Sequence, residues 1–140
     1  MTLCDLIPKR QITYRSLPEL IFFIHKVSHQ TQINCQTLLV ALIYLYRAKS
    51  RLSKRVIGSD DTPHRLFLGS ILIASKFLWD STWIHLPLTN RWLCEISRMY
   101  SIEEMNQIES AFLKLIQYKC WIDHKDLNDF VFLHRQDFFI

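Results

Sequence analysis

A chain of 140 residues has room for one full hydrophobic core but not comfortably for two. Two glycines and four prolines against 49% hydrophobic residues leave too few turn-formers for an all-β fold, so an all-α domain is expected. The net charge of +4 is concentrated rather than spread, coming largely from Arg47, Lys49, Arg51, Lys54 and Arg55.

The stretch Met1 to Arg10 lacks the charged, apolar and small-residue regions of a secretory signal, which points to an intracellular protein of the nucleus, the cytoplasm or both. Residues 1–15 read as a flanking segment. Ser16-Leu17-Pro18-Glu19 then has the pattern of a capping box, in which the serine accepts from the third helical amide and Glu19 reaches back to the cap. Leu17, Leu20, Ile21, Ile24 and Val27 repeat on one face of the first predicted helix. His25 and His29 have the i, i+4 spacing that can share a metal, but no third ligand stands near them in sequence, and neither a metal nor a cofactor is assigned.

A second helix is expected from about Asn34, burying Leu38, Leu39, Leu42, Ile43 and Leu45 before it enters the basic cluster. Cations there suit the negative end of the helix dipole, and the same cluster is a possible docking patch for an acidic or phosphorylated substrate or inhibitor. Asp60-Asp61-Thr62-Pro63 marks a third start, with Thr62 as cap and proline in the first turn. From Leu66 to Trp79 that helix is apolar on nearly every side, as a central helix enclosed by its neighbours would be. Gly69 in its interior costs about 1 kcal/mol against alanine, so a close approach by another helix or a partner is expected there.

Thr89 is the expected cap of a fourth helix carrying Trp92, Leu93 and Ile96. Ser101-Ile102-Glu103-Glu104 is a second capping box, opening a fifth helix that buries Met105, Ile108, Phe112, Leu115 and Ile116. Its other stripe holds Asn106, Glu109, Leu113 and Gln117, where Leu113 has no evident place in the core. Asp123 is the expected cap of a last segment running through Leu127, Phe130 and Val131 to His134, within a C-terminal flanking region of residues 123–140.

The apolar runs fall well short of the roughly 20 residues that span a bilayer, so no membrane role is expected. Cys4, Cys35, Cys94 and Cys120 are scattered, without a C-x-x-C pair, and suggest neither a disulfide framework nor zinc. The phosphate-binding, metalloprotease and serine-hydrolase signatures are absent, which disfavours catalysis.

The run Ile71-Leu72-Ile73-Ala74-Ser75-Lys76-Phe77-Leu78-Trp79-Asp80 closely resembles the core of the cyclin box. Thr62-Pro63-His64-Arg65 before it, Leu88-Thr89-Asn90-Arg91 after it, and Glu103-Glu104-Met105-Asn106 leading into Ile108-Glu109 are similar to fungal Pcl-type (Pho-type) cyclins. The resemblance implies a single cyclin box over residues 16–122: a five-helix bundle around a buried central third helix, with short flanking segments. It also implies a partner, a cyclin-dependent kinase bound as a heterodimer and switched on by the positioning of its αC helix. Lys76 and Glu109 correspond in such proteins to the pair that contacts the backbone around that helix. Ile73, Phe77, Leu113 and Tyr118 match the apolar positions surrounding it.

Two departures stand out against that pattern. Many cyclins join their first two helices through a buried Arg and Asp, whereas Tyr46 stands here where the Asp would fall. The first helix also lacks the M-R-A-I-L run through which some cyclins recruit substrates. Two other readings stay open: a cyclin-like transcription or nucleic-acid-binding module, since general transcription factors also use cyclin-like boxes and the Arg47 to Arg55 patch could hold phosphates, and a scaffold that binds a kinase or its inhibitor without activating it.

Overall fold

The computed structural model describes residues 19–52, 61–82 and 88–134. Among them are six helices and no strand: α1 (Leu20–Thr31), α2 (Cys35–Arg51), α3 (Thr62–Thr82), α4 (Asn90–Ser97), α5 (Ile102–Leu115) and α6 (His124–Leu133). The expected all-α architecture is borne out.

Local start signals set most of these boundaries. Asn34 accepts from the Thr37 amide, Thr89 from the Trp92 amide, and Ser101 and Asp123 each open a full capping box, closed by Glu104 and Asp126. Each places an acceptor over an amide that the helix itself cannot satisfy. The first and third expectations shift instead. Ser16, Leu17 and Pro18 lie outside the described residues, and Glu19 is the non-helical cap residue of α1 with no side-chain cap bond, so it does not act as the closing glutamate of a box. At α3 the carbonyl of Asp61, rather than that of Thr62, accepts the first helical bond, from the Arg65 amide at 3.0 Å.

Central burial of α3 follows its all-round apolar sequence. Phe67, Leu68, Ser70, Ile71, Leu72 and Ala74 are fully enclosed, with α2 and α5 the main neighbours and α1 alongside. The Ser70 hydroxyl donates to the Phe67 carbonyl at 2.7 Å, so this buried polar group is satisfied within its own helix. Phe23 of α1 meets His64 and Phe67 edge-on, with ring centroids 4.8 and 6.2 Å apart.

The core faces of the first two helices differ from those expected. In α1 the buried stripe is Leu20, Phe23, Val27 and Thr31, while Ile21 is 56% exposed. In α2 the buried set is Thr37, Val40, Ala41, Ile43, Tyr44, Leu45 and Ala48, with Leu38, Leu39 and Leu42 only partly covered. Ala41 and Ala48 put small side chains on the buried face, and Tyr44 between them in sequence is fully enclosed. A small-residue seam of this kind is hidden from a count of large apolar residues.

Gly69 has the packing role its position suggested. A Cβ built there would lie 2.8 Å from the Cβ of Phe112, closer than real contacts allow. The obstacle is the root of a side chain fixed on α5, so only a shift of the whole helix relieves it. Gly69→Ala is therefore expected to destabilise by about 1–3 kcal/mol, outweighing the ~1 kcal/mol gained in helix propensity. A thermal melt checks this: a midpoint lower by several degrees is expected, and an unchanged or higher one contradicts the tight packing.

Tyr46 packs its ring on α6, against Phe130 at 5.1 Å and His134 at 4.8 Å between centroids. No residue of α6 is fully buried, and this aromatic cluster links the helix to α2. Asp61, only 3% exposed, accepts from the Arg65 Nε at 2.8 Å and the Tyr100 hydroxyl at 2.7 Å, tying the start of α3 to the α4–α5 connection.

Burial pushes the Tyr44 and Tyr100 phenols well above their ordinary value of 10.0, with the Asp61 hydrogen bond adding to the effect at Tyr100. Folding therefore favours the neutral phenols, and their stabilisation is complete below about pH 10 and declines as pH rises toward the folded-state values. Each loses about 1.4 kcal/mol per pH unit over that window. Alkaline unfolding is expected above pH ~10, with its midpoint displaced when either residue becomes phenylalanine; identical titrations for wild type and both variants would contradict the assignment.

Candidate functional site

Lys76 and Glu109 come together across α3 and α5, with Nζ and Oε2 2.5 Å apart. They are separated by 33 positions in sequence and meet because Gly69 and Phe112 let the two helices lie in contact. Neither side chain is deep: Lys76 is 41% exposed and Glu109 21%. Lys76 Nζ also donates to Asn90 Oδ1 at 3.0 Å. The Asn90 amide in turn donates to Asn106 Oδ1 at 2.6 Å and toward Glu109 Oε1 at 3.4 Å. Thr89 caps the helix that carries Asn90, so the N-terminal signal of α4 also fixes the place of this amide.

The resulting patch has both signs of polarity at the surface. Among the described residues the ammonium makes two of its three possible donor bonds, and the carboxylate offers acceptor capacity on both oxygens. Such a pair can present a donor to an exposed backbone carbonyl and an acceptor to an exposed amide on another protein.

The flanking apolar residues sort into layers. Ile73 is 5% exposed and belongs to the core beneath the pair, Phe77 and Leu113 are partly buried against that core, and Tyr118 is 63% exposed. Leu113 thus has a share in the internal packing that its stripe on α5 did not suggest.

Tyr118 lies in the chain reversal that ends α5. Its amide donates to the Leu113 carbonyl at 2.8 Å and that of Gln117 to the Lys114 carbonyl at 3.0 Å, the bond pattern of a Schellman motif. Gln117 and Tyr118 both have φ of 58°, a left-handed conformation costing a non-glycine residue about 1–2 kcal/mol. Three bonds from α2 hold the following strap: Tyr44 Oη to the Cys120 carbonyl at 2.7 Å, Arg47 Nη1 to the Lys119 carbonyl at 2.6 Å, and Arg47 Nη2 to the Trp121 carbonyl at 3.2 Å. Trp121 is 71% exposed and meets Phe77 edge-on, centroids 6.1 Å apart.

A charged pair on two crossing helices, framed by apolar side chains and a hydrogen-bonded reversal, has the chemistry to receive the backbone of another protein. The family model described as Cyclin, N-terminal domain matches residues 3–120. The chain belongs to the cyclins. It is 34% identical over 112 residues to PHO85 cyclin-9 of Saccharomyces cerevisiae, an alignment covering 80% of this chain and 36% of that protein. PHO85 cyclin-1 of the same yeast is 31% identical over 79% of this chain and 38% of its own length. PHO85 cyclin-2 is 30% identical over 79% of this chain and 34% of its own length. This cyclin chain thus spans a little over a third of the curated relatives it matches. No solved structure matches it. The similarity to Pcl-type cyclins expected from the motifs is borne out.

In this cyclin only part of the basic cluster falls within the described residues. Arg47 is committed to two backbone carbonyls, Lys49 and Arg51 are exposed at the end of α2, and Lys54 and Arg55 lie outside the described residues. Sequence reasoning also missed Asn90, Asn106 and Trp121. Asn106 was visible as the residue one turn before Glu109 on the same stripe, whereas Trp121 gave no signal apart from its size. His25 and His29 stack face to face at 6.2 Å on the outer side of α1. No described helix is long and apolar enough to cross a membrane.

Proposed function

We propose that this chain is the regulatory subunit of a cyclin-dependent protein kinase of the PHO85 kind, a non-catalytic intracellular partner that binds the kinase as a heterodimer and activates it. The observation that carries the reading is the Lys76–Glu109 pair bridging α3 and α5, which the resemblance to cyclins matches to the pair that contacts the backbone around the kinase αC helix. Its apolar frame of Phe77, Leu113 and Tyr118 supplies burial, while the charges select the geometry of the helix they receive.

Activation is then a population shift. A kinase αC helix moves between outward and inward positions, and a cyclin that binds only the inward form favours it by its differential affinity. Inward placement lets a kinase glutamate pair with the phosphate-holding lysine and so completes an ATP site that belongs wholly to the kinase. An interface of about 1,600 Å² in total suits a one-domain partner of this size.

Calorimetric titration of the chain into purified PHO85 kinase tests the binding step. One-to-one binding, largely retained between 50 and 200 mM salt, is expected for an interface anchored by apolar burial. Failure to bind the kinase, together with duplex-DNA binding that falls steeply over the same range, would favour a nucleic-acid module instead.

A further inference from the structure

We propose that Arg47 is a positioning residue for the kinase-facing surface, holding the strap of residues 117–121 so that Trp121 stands beside Phe77 as a further contact for the kinase. The inference rests on the kinase reading of the Lys76–Glu109 face and extends it to two residues which that reading does not use.

Three successive carbonyls, those of Lys119, Cys120 and Trp121, are captured from α2. Arg47 takes the first and third with separate nitrogens of its fork, at 2.6 and 3.2 Å, and Tyr44 takes the second. A planar guanidinium can span two acceptors spaced in this way, whereas a lysine ammonium is a point charge on a flexible stem. The segment needs such a hold. It follows two consecutive left-handed residues without glycine, a conformation that persists only where its surroundings impose it.

What the hold fixes in place is an indole that is 71% exposed and edge-on to Phe77, the chain neighbour of Lys76. Trp121 therefore continues the surface around the charged pair, with Tyr118 also exposed on the same reversal. A large aromatic side chain on an ordered backbone loses little further freedom on binding, and tryptophan is among the residues that most often anchor interfaces. The occupant this favours is the protein seated on Lys76 and Glu109, because Phe77 joins the two parts into one face.

Kinase affinity measured by calorimetry tests this with Trp121→Ala, Arg47→Ala, Arg47→Lys, the Arg47→Ala/Trp121→Ala double variant, and Lys76→Ala/Glu109→Ala for comparison. Trp121→Ala is expected to weaken binding at least tenfold while its thermal midpoint stays at the wild-type value, since the side chain is mostly in water. Arg47→Ala is expected to cost a similar factor, partly recovered by Arg47→Lys, and to add little in the Trp121→Ala background, because the two act through one contact. Wild-type affinity in Trp121→Ala, with binding lost in the Lys76/Glu109 variant, would overturn the proposal and leave the kinase reading standing. Multiplying losses in the double variant would overturn the role given to Arg47. A wild-type chain that does not bind the kinase at all would remove both readings together.

Discussion

Replacing Lys76 and Glu109 together by alanine is expected to weaken kinase binding about a hundredfold while leaving the fold nearly as stable as before. The two consequences separate because the pair does different work in the two states. In the free chain it is a partly hydrated ion pair, 41% and 21% exposed, and such pairs contribute at most about 1 kcal/mol. Against a docked protein the same groups are cut off from water, and truncating one of them costs about 2–5 kcal/mol. The single losses are expected not to add, since each variant already breaks the bond the two share. Asn90→Ala should fall between the single variants and wild type, because it removes one acceptor of the ammonium and leaves the carboxylate in place. Affinity by calorimetry and thermal midpoint measured on the same preparations check the separation; a large fall in stability with unchanged affinity would reverse the assignment.

Tyr44→Ala is expected to produce the largest loss of stability, about 3–5 kcal/mol, against about 1 kcal/mol for Tyr44→Phe. The ring is fully enclosed in the core, so its removal leaves a cavity there. The hydroxyl alone accounts for one bond, to the Cys120 carbonyl. For a domain whose whole stability is of the order of 5–15 kcal/mol, the alanine variant loses a large fraction of it, and a melting midpoint lower by roughly 10–20 °C is expected. Because Tyr44 also braces the strap, the phenylalanine variant should show a slightly weaker kinase affinity despite an almost intact core. Equal melting curves for the two variants would contradict this division between ring and hydroxyl.

Helix starts with their own chemical signature were legible in the sequence: the capping residues Asn34, Thr89, Ser101 and Asp123 all act as caps. The enclosure of α3 and the close approach at Gly69 were legible too, since an all-round apolar helix and an unneeded glycine each carry a cost that only packing can offset. Less legible was the rotation of α1 and α2 about their axes. Both carry large apolar residues on more than one side, and the deciding positions in α2 are alanines and a tyrosine, which a hydrophobic count passes over. Lys76 and Glu109 could be named from their motifs, but their mutual contact depends on helix crossing, as does the amide bridge through Asn90. Arg47 was legible only as one cation among five, and its guanidinium's hold on the carbonyls of a distant strap shows only in the fold.

The most direct measurement is the rate of peptide phosphorylation by purified PHO85 kinase as this chain is titrated in, with the Lys76→Ala/Glu109→Ala variant run at concentrations high enough to saturate the wild type. The proposed mechanism predicts a rate that rises many-fold and levels off at one chain per kinase, and a folded variant that gives little of that rise. A kinase that binds the wild-type chain at this ratio yet phosphorylates no faster would contradict activation and leave a scaffold in its place.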